Sequence, residues 1–152
     1  MKRLLLLSLL LLAACSSPAA RQAPVVEEQM NDLVIYAMSL ADTPYRYGGN
    51  SANSGFDCSG FVGHVYRQTL GVSLPRTSRE ISQVGTPIGQ GELRPGDLVF
   101  YNTLHASFSH VGIYIGDGKF VHSPKSGDSV RVEQMRMRYW QERFDGARRI
   151  RS

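Results

Sequence analysis

A chain of 152 residues, 42% hydrophobic and 20% charged, carries enough apolar material for one globular domain with a core and leaves no room for a second. The formal net charge of +4 is inflated by the N-terminus: without Lys2 and Arg3, 15 basic residues face 13 acidic ones. So even a balance gives no footing for nucleic-acid binding.

Residues 1–14 read as an export leader. Met1-Lys2-Arg3 is a basic start, Leu4 to Leu12 an apolar run too short to span a bilayer, and Ala13-Ala14 are small residues before a cleavage point. Leu12-Ala13-Ala14-Cys15 resembles a bacterial lipobox, which implies that Cys15 is lipidated and becomes the mature N-terminus. With Ser16 rather than an aspartate next to it, the resemblance implies an anchor in the outer membrane, facing the periplasm. A Cys15–Cys58 disulfide is the alternative in an oxidising compartment.

Residues 15–26 are small, polar and proline-broken, as in a flexible tether, and the domain proper is expected over 27–152. Met30, Leu33, Val34, Ala37, Met38 and Ala41 predict a helix over 27–41, ended by Thr43-Pro44. Residues 45–49 read as an extended piece that turns, and 50–55 as a loop. Phe61, Val62, Val65, Tyr66 and Leu70 follow Cys58 at helical spacing and Gly71 is a natural stop, so Cys58 sits in a helix's first turn. Thr77 or Ser78 caps a short helix through Val84, and 85–96 reads as linker. The pattern then changes to short β-branched or aromatic runs, at 97–101, 110–115, 119–122 and 130–132, with a helix near 134–143 and a last strand at 146–150. Helices first and strands afterwards predict an α+β fold, N-terminal helices packed on a central antiparallel sheet.

A cysteine at a helix start reads as a nucleophile, because unpaired backbone N–H groups there favour the thiolate; a buried, inert cysteine is the plain alternative. Of the four histidines, His64 falls on another side of the Cys58 helix and reads as a packing residue, and His105 as solvated. His110 and His122 flank Gly116-Asp117-Gly118. A three-residue loop sets Ile115 opposite Lys119 and Gly112 opposite His122, which places both imidazoles on one face; a two-residue loop separates them. A thiol at a helix start, an imidazole on a strand and a second polar group to orient it is the cysteine-peptidase arrangement. Zinc ligation by Cys58, His105, His110 and His122 is a competing reading, opposed by the lack of a close ligand pair.

Tyr45-Arg46-Tyr47-Gly48-Gly49, Asp57-Cys58-Ser59-Gly60-Phe61-Val62, Leu74-Pro75-Arg76-Thr77-Ser78, Arg94-Pro95-Gly96-Asp97-Leu98-Val99 and His110-Val111-Gly112-Ile113-Tyr114-Ile115 resemble, in this order, motifs of the NlpC family of papain-like cell-wall peptidases. The likeness covers residues 27–150 and lies near the family's small lipoprotein endopeptidases. It implies a papain-like fold, no cofactor or metal, peptidoglycan as partner, a membrane contact only through lipid, and a monomer. It also implies Cys58 as nucleophile, His110 as base and His122 as its orienter, with Tyr45 and the Cys58 or Ser59 backbone N–H near the oxyanion. The implied reaction is hydrolysis of the D-glutamyl–diaminopimelate or D-Ala–diaminopimelate bond. Transfer of the Cys58 acyl group to an amine or alcohol, and a silent wall-binding module, are the other readings. The Asn102–Ser109 loop departs from the family pattern.

Overall fold

The computed structural model describes residues 19–150, with side chains from Val26 onward; the leader and Cys15 lie outside the described residues. No helix among them is long and apolar enough to cross a membrane.

Helix α1 (Ala19–Ser39) begins earlier than the expected start near Glu27, so part of the tract read as tether is helical despite Pro24. Ala19, Ala20, Arg21, Gln22 and Ala23 are good helix formers, and proline is tolerated near a helix start. A two-stranded hairpin follows, β1 (Asn50–Ser51) with β2 (Gly55–Phe56), where a loop was expected. Helix α2 (Cys58–Leu70) then runs as predicted, closed by Gly71 in the left-handed region with its N–H on Arg67 and Tyr66 carbonyls. The single turn α3 (Ser78–Ile81) is shorter than expected and opens with a capping box between Thr77 and Glu80.

Six strands form one antiparallel sheet in the order β3-β8-β4-β5-β6-β7: β3 (Thr86–Ile88), β4 (Leu98–Tyr101), β5 (His110–Gly116), β6 (Lys119–His122), β7 (Arg131–Gln134) and β8 (Phe144–Arg149). The one-turn α4 (Arg138–Gln141) joins the last two, where a longer helix was expected. Strand β3 falls in the stretch read as linker. It lies at the sheet's edge, where a proline such as Pro87 costs no ladder bond.

Alternation along the strands sorts the core into two layers. Leu98, Phe100, Val111, Ile113 and Val121 face Leu33 and Ala37 of α1 and Phe61, Val62, Val65 and Tyr66 of α2. Val99, Tyr101, Phe120 and Ala147 face the other way, onto Met135 and Trp140. At about 1.5–3 kcal/mol for each fully buried large apolar side chain, these layers are the main favourable contribution to folding. Met38 and Ala41, expected on the buried stripe of α1, are exposed. The chain is thus α+β, with helices on an antiparallel sheet.

Candidate active site

Asp57 starts the site. Its backbone is extended (φ −87°, ψ 178°) and its Oδ1 accepts the Gly60 N–H at 2.7 Å, an N-cap that fixes Cys58 as the first residue of α2. Oδ2 accepts the Gly48 N–H at 3.1 Å and so ties the Tyr45–Gly49 segment to the same helix end. Gly60 lets the two meet, because a Cβ there collides with the Gly49 carbonyl. Arg76 closes the other side of Asp57, with Nη2–Oδ2 at 2.6 Å and Nη1–Oδ1 at 3.1 Å, and its Nη1 also donates to Ser59 Oγ at 2.9 Å. This arginine was not picked out as a site residue from the sequence; its only sign there was a place in the Leu74–Ser78 motif.

Cys58 is partly buried against the first core layer. The backbone N–H groups of Val111, Ser59 and Cys58 itself favour its thiolate, but burial outweighs them and the Asp57 carboxylate adds to it, so the thiol is pushed up from its ordinary range. That reverses the sequence expectation of a thiolate favoured by the helix start: desolvation wins over the helix-end N–H groups. Burial, then the charges of Cys58 and Asp57, push the Tyr45 phenol upward too, which places its hydroxyl within electrostatic reach of the sulfur.

The histidines meet as the register argument required, by a different route. Ile113 pairs with Val121, which sets Gly112 opposite His122, but Gly116 rather than Ile115 pairs with Lys119. The turn is therefore the two residues Asp117-Gly118, both at positive φ (51° and 67°), and a bulge between Tyr114 and Gly116 restores the register that such a turn alone would lose. A Cβ on Gly112 meets Phe120 Cδ2 at 2.7 Å, the Val121 carbonyl at 3.0 Å and His122 Cβ at 3.2 Å, so only glycine admits β6 this closely.

His110 Nε2 and His122 Nδ1 lie 2.7 Å apart, with the residues 3% and 0% exposed. Burial pushes His110 down to about 4, and burial, then His110 and Arg131, push His122 well below the ordinary imidazole value. Both rings are neutral at neutral pH, and the pair engages Nε2 of His110 while leaving Nδ1. No hydrogen bond joins His110 to Cys58; the sulfur lies against the Val111 amide, one residue along the strand. Nucleophile–base contacts are often long in a substrate-free site and tighten in the complex.

Residues 42–149 match the model of the NlpC/P60 family. The chain belongs to the NlpC/P60 family. It is 42% identical over 116 residues to the murein DD-endopeptidase MepH of Escherichia coli, a match that covers 74% of this chain and 43% of that protein. It is 39% identical to the probable endopeptidase NlpC of the same organism, with 97% of both chains covered. An NlpC/P60 family protein from Bacillus cereus superposes with a TM-score of 0.74 at 35% identity, covering 79% of this chain and 39% of that one. The chain spans less than half the length of MepH, and nearly all of NlpC.

The structure gathers Tyr45, Cys58 and Ser59 at the start of α2, sets the Cys58 sulfur on the amide of Val111, the residue after His110, and pairs His110 with His122; it leaves two histidines out. His64 is a packing residue: its Nε2 lies 3.0 Å from the Tyr36 hydroxyl and its ring 5.0 Å from that of Phe56. His105 is exposed on the Asn102–Ser109 loop, and the described residues hold no group of three or more His, Cys, Asp or Glu side chains placed to bind a metal. That loop is anchored by the Phe108 N–H on Asp145 at 2.7 Å and by Phe108 packed edge-on to Phe100 at 5.8 Å. Between it and the α4–β8 turn lies a polar cleft of about 410 Å³, lined by Asn102, Thr103 and His105 on one side and Tyr139, Arg143 and Asp145 on the other. Trp140, which the sequence reading passed over, packs on both dyad histidines.

Proposed function

We propose that this protein is a cysteine endopeptidase that hydrolyses peptidoglycan peptides, with Cys58 as nucleophile, His110 as base and His122 as orienter. The observation that carries the reading is the 2.7 Å contact between two buried, neutral imidazoles, one of them on the residue before Val111, whose amide meets the Cys58 sulfur. Because the thiol is held protonated, attack requires a base. His110 Nδ1 takes the proton as Sγ adds to the carbonyl carbon, and the tetrahedral oxyanion develops near the Cys58 and Ser59 N–H groups and the Tyr45 hydroxyl. The imidazolium returns its proton to the leaving amine as the C–N bond breaks. Water, activated by the same ring, then hydrolyses the thioester. His122 steadies His110 through Nε2, the role of the third group in the triad template.

The substrate is the diaminopimelate-containing stem peptide. Of the two candidate bonds, the D-Ala–diaminopimelate cross-link is favoured by the name of the similar MepH, a DD-endopeptidase. The leader and Cys15 further support a lipid anchor in the outer membrane, facing the periplasm. Digestion of purified sacculi and mass spectrometry of the released muropeptides tests the reaction. The expected products are monomers freed from cross-linked dimers, with none formed by Cys58→Ala. Wild-type release by that variant overturns the mechanism, and stem peptides cut after D-glutamate overturn the choice of bond.

A further inference from the structure

An imidazole on a strand has a broad, roughly two-fold χ2 torsion, so its rotamer does not fix the plane of the ring. The single His110–His122 contact fixes one edge and leaves rotation about it free. Trp140 supplies what is missing. Its indole stacks on His110 at 5.9 Å and 25°, and meets His122 edge-on at 5.1 Å and 89°. The imidazoles stand at 86° to each other, so indole and His110 are near-parallel plates and His122 is the wall between them. Phe120 and Tyr101 back the indole at 5.0 and 4.9 Å, and the residue is only 6% exposed.

We propose that Trp140 is a positioning residue of the dyad: its indole holds the His110 and His122 rings at the mutual angle that makes their hydrogen bond and keeps water off it. The proposal rests on the dyad roles given above. It also accounts for α4, a single turn with no side-chain cap at its start, which presents a side chain that reaches both rings.

Arg131 from β7 is the charged side chain that acts on His122, and Tyr101 from β4 lies opposite His110 in the sheet. Opening the indole side admits water. That relieves the burial which keeps His110 neutral and moves its titration up toward the ordinary imidazole value.

The test compares Trp140→Leu and Trp140→Phe with Phe144→Leu, which damages the same aromatic layer without removing a ring contact to the indole or to either imidazole. Each is assayed at a temperature where circular dichroism shows it fully folded. Trp140→Leu is expected to lower kcat by roughly 10- to 100-fold with KM little changed, since a 1 Å misplacement costs about 10²-fold. Its acid limb of kcat/KM moves upward, and Trp140→Phe, which keeps a flat ring, restores most of both. Phe144→Leu is expected to lose stability and keep the wild-type acid limb. Nitrogen NMR of the imidazoles, which needs no substrate, is expected to show one fixed tautomer pair in wild type and mixed tautomers in Trp140→Leu. A folded Trp140→Leu with wild-type kcat, acid limb and ring signals overturns the proposal. If that variant does not fold, Trp140→Met, which keeps apolar volume without a flat ring, decides: wild-type kcat, acid limb and ring signals in it refute positioning. Wild-type protein that leaves sacculi intact but shows the tautomer shift on substitution separates failure of the functional reading from failure of this one.

Discussion

The resting protonation state of the site is its most exposed prediction, and pH is the perturbation. His110 is pushed down to about 4 by burial and the Cys58 thiol is pushed up, so the free enzyme rests as thiol and neutral imidazole, not as an ion pair. At pH 5 such an imidazole is about 90% neutral, whereas one at the ordinary value of about 6.5 is only ~3% neutral. The acid limb of kcat/KM is therefore expected near pH 4, with no thiolate absorbance near 240 nm at pH 7. The same shift couples to stability. Because the folded value lies below the unfolded one, the unfolded chain binds the extra proton as pH falls, so stability is full above about 6.5 and is lost toward 4. At pH 5 the loss from His110 alone is about 2 kcal/mol, rising to about 3 kcal/mol below pH 4, and His122 acts in the same direction. Urea melts at pH 8 and pH 5 measure it, alongside iodoacetamide alkylation of Cys58 across the range. An acid limb between pH 6 and 7 together with unchanged stability at pH 5 refutes the reasoning.

His110→Ala is expected to abolish turnover, while His122→Ala leaves more activity, although loss of an orienting group alone has cost about 10⁴ in one triad; equal loss in single-turnover assays removes the distinction between base and orienter. Gly112→Ala is expected to destabilise by about 1–3 kcal/mol and to lower kcat, because the new methyl pushes on Phe120 and the His122 strand. Gly63→Ala, inside α2 with open space around the position, is expected to do the opposite and stabilise by about 0.5–1 kcal/mol; thermal melts of the two read the signs. Cys15→Ser in the full precursor is expected to keep activity and to move the protein from the membrane to the soluble fraction, and a fatty-acid probe that fails to label wild-type Cys15 removes the lipid anchor.

What could be read from residues alone follows the range of the interaction that decides each feature. Helix α2 and strands β4 to β7 are set by local periodicity, and there the sequence and the structure agree to within a residue or two. Strand β3 is hidden because Thr86-Pro87-Ile88 has no strand signal of its own; its partner β8 lies more than fifty residues away. The hairpin register shows how a local argument reaches the right face for an incomplete reason. Counting loop residues put His110 and His122 together, but the turn is Asp117-Gly118 with a bulge beside it, and only the pairing of Ile113 with Val121 reveals that. Asp57 before an apolar helical run was a readable cap signal. Arg76 on Asp57 and Trp140 on the two histidines were not readable, since neither spacing nor propensity encodes a contact closed by the fold.

The ionisation of Cys58 is the sharpest case of this limit. Helix-end N–H groups, visible in sequence, lower a thiol; burial by the sheet, invisible there, raises it, and the larger effect is the one that needs the three-dimensional structure. In the proposed mechanism, a nucleophile so placed is quiet until a base is brought to it. That makes the orientation of His110, and hence the side chains that hold its ring, the feature on which reactivity turns.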